Sequence, residues 1–460
     1  MNFTILKKTP LYNSFSELGK RIYLPEGIFY WSGRAKKEAE FVGTIGAAYA
    51  FEKDFIEEGT SEWLPCYLKD IKNYFKNLKI NDLVPYASIA GLQELRLIWK
   101  DWILKKSHFT DQADKDKIHN LMKFISIPII TSGVTSAIFL CCAMFLNPSE
   151  YIICPNKRWE NYDNIIEIFL GAKIYSFEFF HNNRFNIKGL EKSILEISKI
   201  QEKIVILLGF PNNPTGFIPT WEEKDQLIES LSSIQKKINK PMIILIDDAY
   251  EPYIYTESVI NRSIFYDFQQ LKGDIIPIKL DGITKELLMY GGRIGFITIG
   301  LKNSWIESMQ ELEQLKTELD NKLSGMIRST ISNCNHFYQA ITVKIFKEKG
   351  MDKIIEERRD IQNLLKQRFE KFNAELNKIH NPDISIDPNS GGYFIFVNLN
   401  PNKFKATEFA DYLLKKYKVG IIPIENDEEN INGIRIAYSS IDISQIPEMV
   451  DHIKLALRDY

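Results

Sequence analysis

Little in this chain points away from an ordinary soluble globular protein. Its 460 residues include only five cysteines, Cys66, Cys141, Cys142, Cys154 and Cys334. None is placed at a metal-ligand spacing, and an odd count argues against a disulfide framework. Cys141 and Cys142 are adjacent in an apolar helical stretch and are read as buried free thiols, so no metal is expected. Long apolar runs are missing too: the longest, residues 137–146, falls short of the roughly 20 residues that cross a bilayer. Residues 1–14 lack the continuous apolar core of a signal peptide. A formal net charge of −2 provides no field for nucleic acid or an anionic membrane. Internal repeats and low-complexity tracts are absent as well. The default expectation is a cytoplasmic protein with neither kind of partner.

What is present is rhythm. Hydrophobic residues make up 45% and charged residues 26%, enough for a large core and more than one domain. Residues 125–130, 151–154, 204–208, 242–246 and 275–280 read as buried strands, several apolar on both faces. Helical patterns at 136–146, 159–170 and 221–237 fall between them. This alternation predicts an α/β large domain, a mostly parallel sheet sandwiched by helices. After residue 351 come a long charged helix at 353–378, the run Gly391-Gly392-Tyr393-Phe394-Ile395-Phe396-Val397, a helix at 406–417 and a strand at 433–438. These predict a smaller α+β domain. The expected division is a segment 1–60 packed on the main body, a large domain 61–345 and a small domain 346–460. Residues 107–120 are polar and read as a surface insertion.

The chemistry lies where apolar runs end. Pro211-Asn212-Asn213-Pro214-Thr215-Gly216 follows the run 204–208, and Asp247-Asp248-Ala249-Tyr250 follows 242–246. Thr284-Lys285 follows 275–280, with Arg293 eight residues beyond the lysine. Gly133-Val134-Thr135 joins the first strand to its helix, where free backbone N–H groups bind phosphate. Taken singly, each has a bland reading: a solvated loop lysine, a helix-capping aspartate, a rigid turn, a strand–helix junction. Together they supply an amine to condense with an aldehyde, an acid for a pyridine nitrogen, and polar groups for the ring oxygen. Arg293 adds a cation for a phosphate. That is the donor set for pyridoxal 5'-phosphate. Asp248 is the rival to Asp247 within the acidic pair.

From about Tyr86 to the C-terminus the chain resembles the fold-type-I, class I/II aminotransferases of the aspartate aminotransferase superfamily. The resemblance implies that Lys285 links the cofactor and shuttles the proton, that Asp247 partners the pyridinium, and that Asn213 and Tyr250 contact the ring oxygen. It makes Arg293 the phosphate arginine, completing the cradle of Gly133, Val134 and Thr135, with Thr284 as the candidate to compensate for the departure at Gly282. Trp159 matches the aromatic residue that stacks on the ring; its alternative is a buried core tryptophan. Arg435, in Gly433-Ile434-Arg435-Ile436, matches the arginine that grips the substrate α-carboxylate, and Gly46 a glycine beside the substrate. Tyr86 matches a tyrosine that reaches the partner subunit's phosphate, implying a homodimer with shared sites. One departure is plain: many relatives carry serine three residues before the lysine, where this chain has Gly282, preceded by Asp281.

The implied reaction is ping-pong transfer of an amino group between an α-amino acid and a 2-oxo acid. A β-lyase or a decarboxylase would use the same cofactor residues. A cofactor-binding sensor without turnover is a third reading, though no basic helix-turn-helix pattern accompanies it. A dicarboxylate substrate would need a second cation, for which Arg34 and Arg328 are candidates. The aromatic run Phe29-Tyr30-Trp31 suits an apolar or aromatic side chain instead, and residues 23–31 are a candidate cover for the site mouth.

Overall fold

A computed structural model describes residues 3–24, 27–76, 78–107 and 112–460. Seven strands form the central sheet, in the spatial order Ile129–Thr131, Gly295–Ile299, Ile275–Gly282, Met242–Asp247, Ile204–Gly209, Tyr151–Pro155, Lys173–Phe177. All run parallel except Gly295–Ile299, which is antiparallel to both of its neighbours. The double-sided apolarity has a direct cause. Ile204, Ile206, Leu208, Met242, Ile244 and Ile246 join one apolar cluster, while Val205, Leu207, Ile243 and Leu245 join another. Alternate residues of each strand face opposite helix layers, so neither face can be polar. On one side lie Val134–Phe145 and Met309–Thr330; on the other lie Ile187–Ile197 and Trp221–Ile238. Thr220 and Glu223 cap the last of these reciprocally, a local signal worth about 1 kcal/mol.

Most boundaries shift by one or two residues, and three elements depart further from the sequence reading. The strand expected at 125–130 pairs as Ile129–Thr131, with Ile125 making only an isolated bridge to Gly300. Pro128 has no N–H to give a ladder. The helix expected at 159–170 begins at Asn161 and widens into a π-turn over Asn164–Phe169. The polar insertion contains a helix, Gln112–Leu121, while residues 108–111 lie outside the described residues.

A second, antiparallel sheet has the order Ile384–Ile386, Phe394–Leu399, Ile431–Ala437, Ile422–Asn426. The helices Met351–Leu376, Ala406–Tyr417 and Ile446–Asp459 accompany it. Early residues join this part of the molecule rather than the central sheet. Phe41–Val42 pairs in parallel with Val419–Gly420, and the helix Ile28–Glu38 lies across that pairing. The close approach requires glycine: a Cβ on Gly420 would lie 2.4 Å from the Ala35 Cβ. All five cysteines are buried and unpaired. No helix among the described residues is long and apolar enough to cross a membrane.

Candidate active site

The parallel strands deliver their carboxyl ends to one cavity of about 440 Å³, as open α/β sheets do. Val134, Thr135, Trp159, Asn213, Asp247, Tyr250, Thr284, Lys285 and Arg293 line it from the large-sheet side. Gly46, Phe394 and Arg435 close it from the N-terminal segment and the small sheet. A side chain at Gly46 would strike the Phe394 ring at 2.8 Å. Leu24 and Gly27, just before the helix Ile28–Glu38, and its first residues Ile28 and Phe29 add to the lining. Of the candidate cover 23–31, residues 25 and 26 lie outside the described residues.

Asp247 ends its strand with one carboxylate oxygen accepting from the Tyr162 hydroxyl at 2.5 Å. The other accepts from the Ala249 N–H at 3.0 Å. Burial raises its pKa against these two donors and the charge of Lys285. The site therefore holds a carboxylate that gains from a further cation. Lys285 stands over the Tyr250 ring, its Nζ 4.8 Å from the ring centre. Burial pushes this amine down to about 8; Asp247 opposes the shift, and Arg293 and Arg435 add to it. Free amine is thus available near neutral pH.

Gly133, at φ +84°, caps the twelve-residue helix Val134–Phe145 without offering it a side-chain acceptor. Val134 and Thr135, the first residues of that helix, line the cavity, where a dipole of this sense favours an anion. Arg293 adjoins them: a Cβ on Gly133 would lie 2.5 Å from its Nη2. The departure at Gly282 now has a physical reason. A Cβ there would meet the Ile294 carbonyl oxygen at 2.6 Å, so no serine fits. Thr284 supplies a hydroxyl at the cavity wall instead.

Arg435 is the most informative residue. It is buried, and its guanidinium has no carboxylate partner among the described residues. Nη1 donates to the Asn213 Oδ1 at 3.1 Å and Nη2 to the Thr44 carbonyl at 3.0 Å, while Nε has no partner. The Phe394 ring lies 4.3 Å beneath it. Burial lowers its pKa to about 10. A buried cation without a counter-ion is costly unless an anion arrives.

Behind the cavity floor lies a second set of charges. Asp248, the rival acid, turns away and pairs with Lys279 and the Ser263 hydroxyl. Lys106 Nζ contacts Glu251 at 2.8 Å, Asp281 at 3.0 Å and Glu286 at 2.7 Å. These three carboxylates converge as metal ligands would, and the Lys106 ammonium fills the position. Arg358 bonds Glu286 at 2.6 Å, and the Trp99 indole bonds Asp281 at 2.9 Å. Asp281 is therefore tied to this layer. Three of its acids each follow a cavity residue in sequence, 248 after 247, 251 after 250 and 286 after 285, while Asp281 precedes the lining Gly282. Replacing Lys106 with methionine leaves three buried acids short of a cation. It should cost about 3–5 kcal/mol, read as a lower denaturant midpoint. An unchanged midpoint would show that the layer is not stabilising.

Tyr162, Phe394, Thr44, Arg158 and Glu160 were not singled out in the sequence. Tyr162 carried a faint signal, lying three residues after Trp159, about one helical turn away. Arg158 is held by Asp163 at 2.5 Å and Glu429 at 2.9 Å. Arg34 pairs with Glu38 and Asp411, and Arg328 lies on an exposed helix face against Ser332; neither lines the cavity. Tyr86 lies outside the cavity and is 89% exposed.

This architecture and this lysine–aspartate–arginine geometry define a group-transfer enzyme of fold type I. Residues 114–453 match the family model described as aminotransferase class I and II. The chain belongs to that family, and it is an aminotransferase. Similar curated proteins include the aromatic-amino-acid aminotransferase 2 of Thermococcus litoralis, 23% identical over 85% of this chain and 88% of that protein. The aspartate aminotransferase of Sulfolobus acidocaldarius is 24% identical over 74% of each chain. Among solved structures, an aminotransferase from Anaerococcus prevotii superposes with a TM-score of 0.79, at 22% identity over 96% of this chain and 98% of that one. A kynurenine aminotransferase of Pyrococcus horikoshii, solved in complex with PMP, gives 0.74 at 18% identity over 98% of each.

Proposed function

We propose that the chain is a pyridoxal 5'-phosphate-dependent transaminase, moving an amino group from an α-amino acid to a 2-oxo acid in two ping-pong half-reactions. The observation that carries this reading is Arg435, a buried guanidinium with no carboxylate partner among the described residues, in a cavity that also holds Lys285 and Asp247. The residues fit the cofactor. The uncapped helix start, Arg293, Thr135 and Thr284 suit its phosphate, and Asp247 suits its ring nitrogen. Asn213 keeps its amide N–H₂ free for the ring oxygen because its carbonyl is engaged by Arg435, and Tyr250 adds a hydroxyl. Trp159 offers a face for stacking. The PMP complex of the Pyrococcus horikoshii relative supports the same reading.

When bound, the cofactor supplies an aldehyde that takes up the amino group and a ring that withdraws electrons from the substrate Cα. Arg435 grips the α-carboxylate with two parallel hydrogen bonds and so fixes which Cα bond faces Lys285. Lys285 Nζ would remove the Cα proton and hold it until it is returned on the far side of the transferred nitrogen. Asp247 keeps the ring nitrogen protonated, stabilising the charge that develops.

Amino acid alone, added to the holoenzyme, should convert bound cofactor to its amine form, seen in the absorption spectrum. Persistence of the aldehyde form with release of pyruvate and ammonia would favour a lyase. Arg435→Lys should lower kcat/KM by roughly 100-fold, the order expected when a buried charge pair loses its geometry. An unchanged KM would remove the α-carboxylate role.

A homodimer with shared sites, to which Tyr86 contributes, belongs to the same proposal. Exposed apolar residues around that tyrosine, Ile80 at 69% and Val84 at 72%, support it. We further propose the division into residues 1–60, 61–345 and 346–460, supported by the two separate sheets, and a cytoplasmic location, supported by the unpaired thiols.

A further inference from the structure

Among the charged side chains lining the catalytic cavity, all but one have a counterpart. Asp247, Lys285, Arg293 and Arg435 are assigned to cofactor and α-carboxylate, and Arg158 is neutralised by Asp163 and Glu429. Glu160 remains. It follows Trp159 and forms no ion pair among the described residues. Its carboxylate lies beneath the Gly27 backbone, where an added Cβ would come within 2.0 Å of Oε1. It accepts the Ile28 N–H, which uses only one of a carboxylate's roughly four acceptor sites. Burial raises its pKa while the charge of Arg435 lowers it, so the two groups sense one another across the cavity.

The opposite feature is missing. Among the described residues no lining cation is left for a second substrate carboxylate, and Arg34 and Arg328 are engaged elsewhere. Leu24, Ile28 and Phe29 supply apolar surface beside Glu160, suited to a methylene stem that carries its charge at the tip.

Resting on the transaminase reading, we propose that Glu160 selects the substrate side chain: it favours α-amino acids ending in an ammonium or guanidinium group and disfavours dicarboxylates. A carboxylate left single in a partly desolvated cavity gains most from a cation, and a second anion there is repelled.

Initial rates of the holoenzyme with L-lysine, L-ornithine, L-arginine, L-norleucine and L-aspartate, using pyruvate as acceptor, test the idea. The basic donors should give the highest kcat/KM and L-aspartate the lowest. In Glu160→Gln, which keeps the acceptor for Ile28, the lysine-to-norleucine ratio of kcat/KM should fall about 10- to 100-fold, the range for one charge-assisted hydrogen bond. Glu160→Asp should retain part of the ratio, and Glu160→Arg should move the preference toward L-aspartate. An unchanged ratio in Glu160→Gln, or L-aspartate as the best wild-type donor, overturns the proposal. If no amino acid alters the bound-cofactor spectrum, the transaminase reading fails instead and takes this specificity with it.

Discussion

Lys285→Ala is expected to reduce turnover by roughly four orders of magnitude, the upper end of what a positioned acid–base group contributes. Lys285 is the only lysine lining the cavity among the described residues, so no neighbour can replace it. The loss should be chemical rather than structural. The short helix Ile283–Glu286 is held through its backbone, where the Tyr253 hydroxyl donates to the Lys285 carbonyl at 2.8 Å. Borohydride reduction of wild-type holoenzyme should leave the cofactor mass on the peptide containing residue 285, and the variant should carry none. A reduced adduct at another lysine would refute the assignment. The pH dependence gives a second readout. Burial lowers this amine to about 8, so the reactive neutral fraction in the apoprotein rises with pH. Cofactor attachment should therefore speed up about tenfold per pH unit below that value and level off above it. A midpoint at the ordinary lysine value would mean that the amine is not desolvated.

Asp247→Asn is expected to cost about 10²–10³ in kcat, the range for removing one preorganised electrostatic partner. The substitution keeps shape and removes charge. Its effect on Lys285 has a definite sign. Asp247 is the group that holds the lysine amine up against burial, so its neutralisation must lower that amine further below about 8. The attachment profile should move to lower pH while turnover collapses. A shift to higher pH would contradict the geometry. Tyr162→Phe, which removes the 2.5 Å donor to Asp247, should follow with a smaller loss of about tenfold.

The sequence was most legible where local chemistry and local structure agree. Val205 and Ile206, or Ile243 and Ile244, had to be buried together because both are large and apolar, and a strand sends them to opposite faces. Lys285, Asp247 and Asn213 stood out because each sits just past such a run, and Arg293 because it follows the lysine and precedes the next run. Arg435 stood out as a charge inside one. The charged layer was illegible for the complementary reason: its members are remote in sequence. Lys106 and Asp281 are 175 residues apart, and nothing near either announces the other. Glu160 looked like any helix-entry glutamate until Gly27, Ile28 and Arg435 were brought around it. The pairing of Phe41–Val42 with Val419–Gly420 involves two residues on each side, too short for a periodic signal. The π-turn at Asn164–Phe169 has no residue signature at all.

The in-step placement of 247 with 248, 250 with 251 and 285 with 286 has an outcome for anyone redesigning this enzyme. The floor under the reacting atoms is a shared wall, and its far surface is an ionic lattice. Substitutions on that hidden surface would blunt the chemistry without touching a single ligand-facing atom. A screen judged by turnover alone would mistake them for substrate-contact positions. Libraries meant to broaden donor scope are better confined to Leu24, Ile28, Phe29 and Glu160, which line the cavity and take no part in the charged layer.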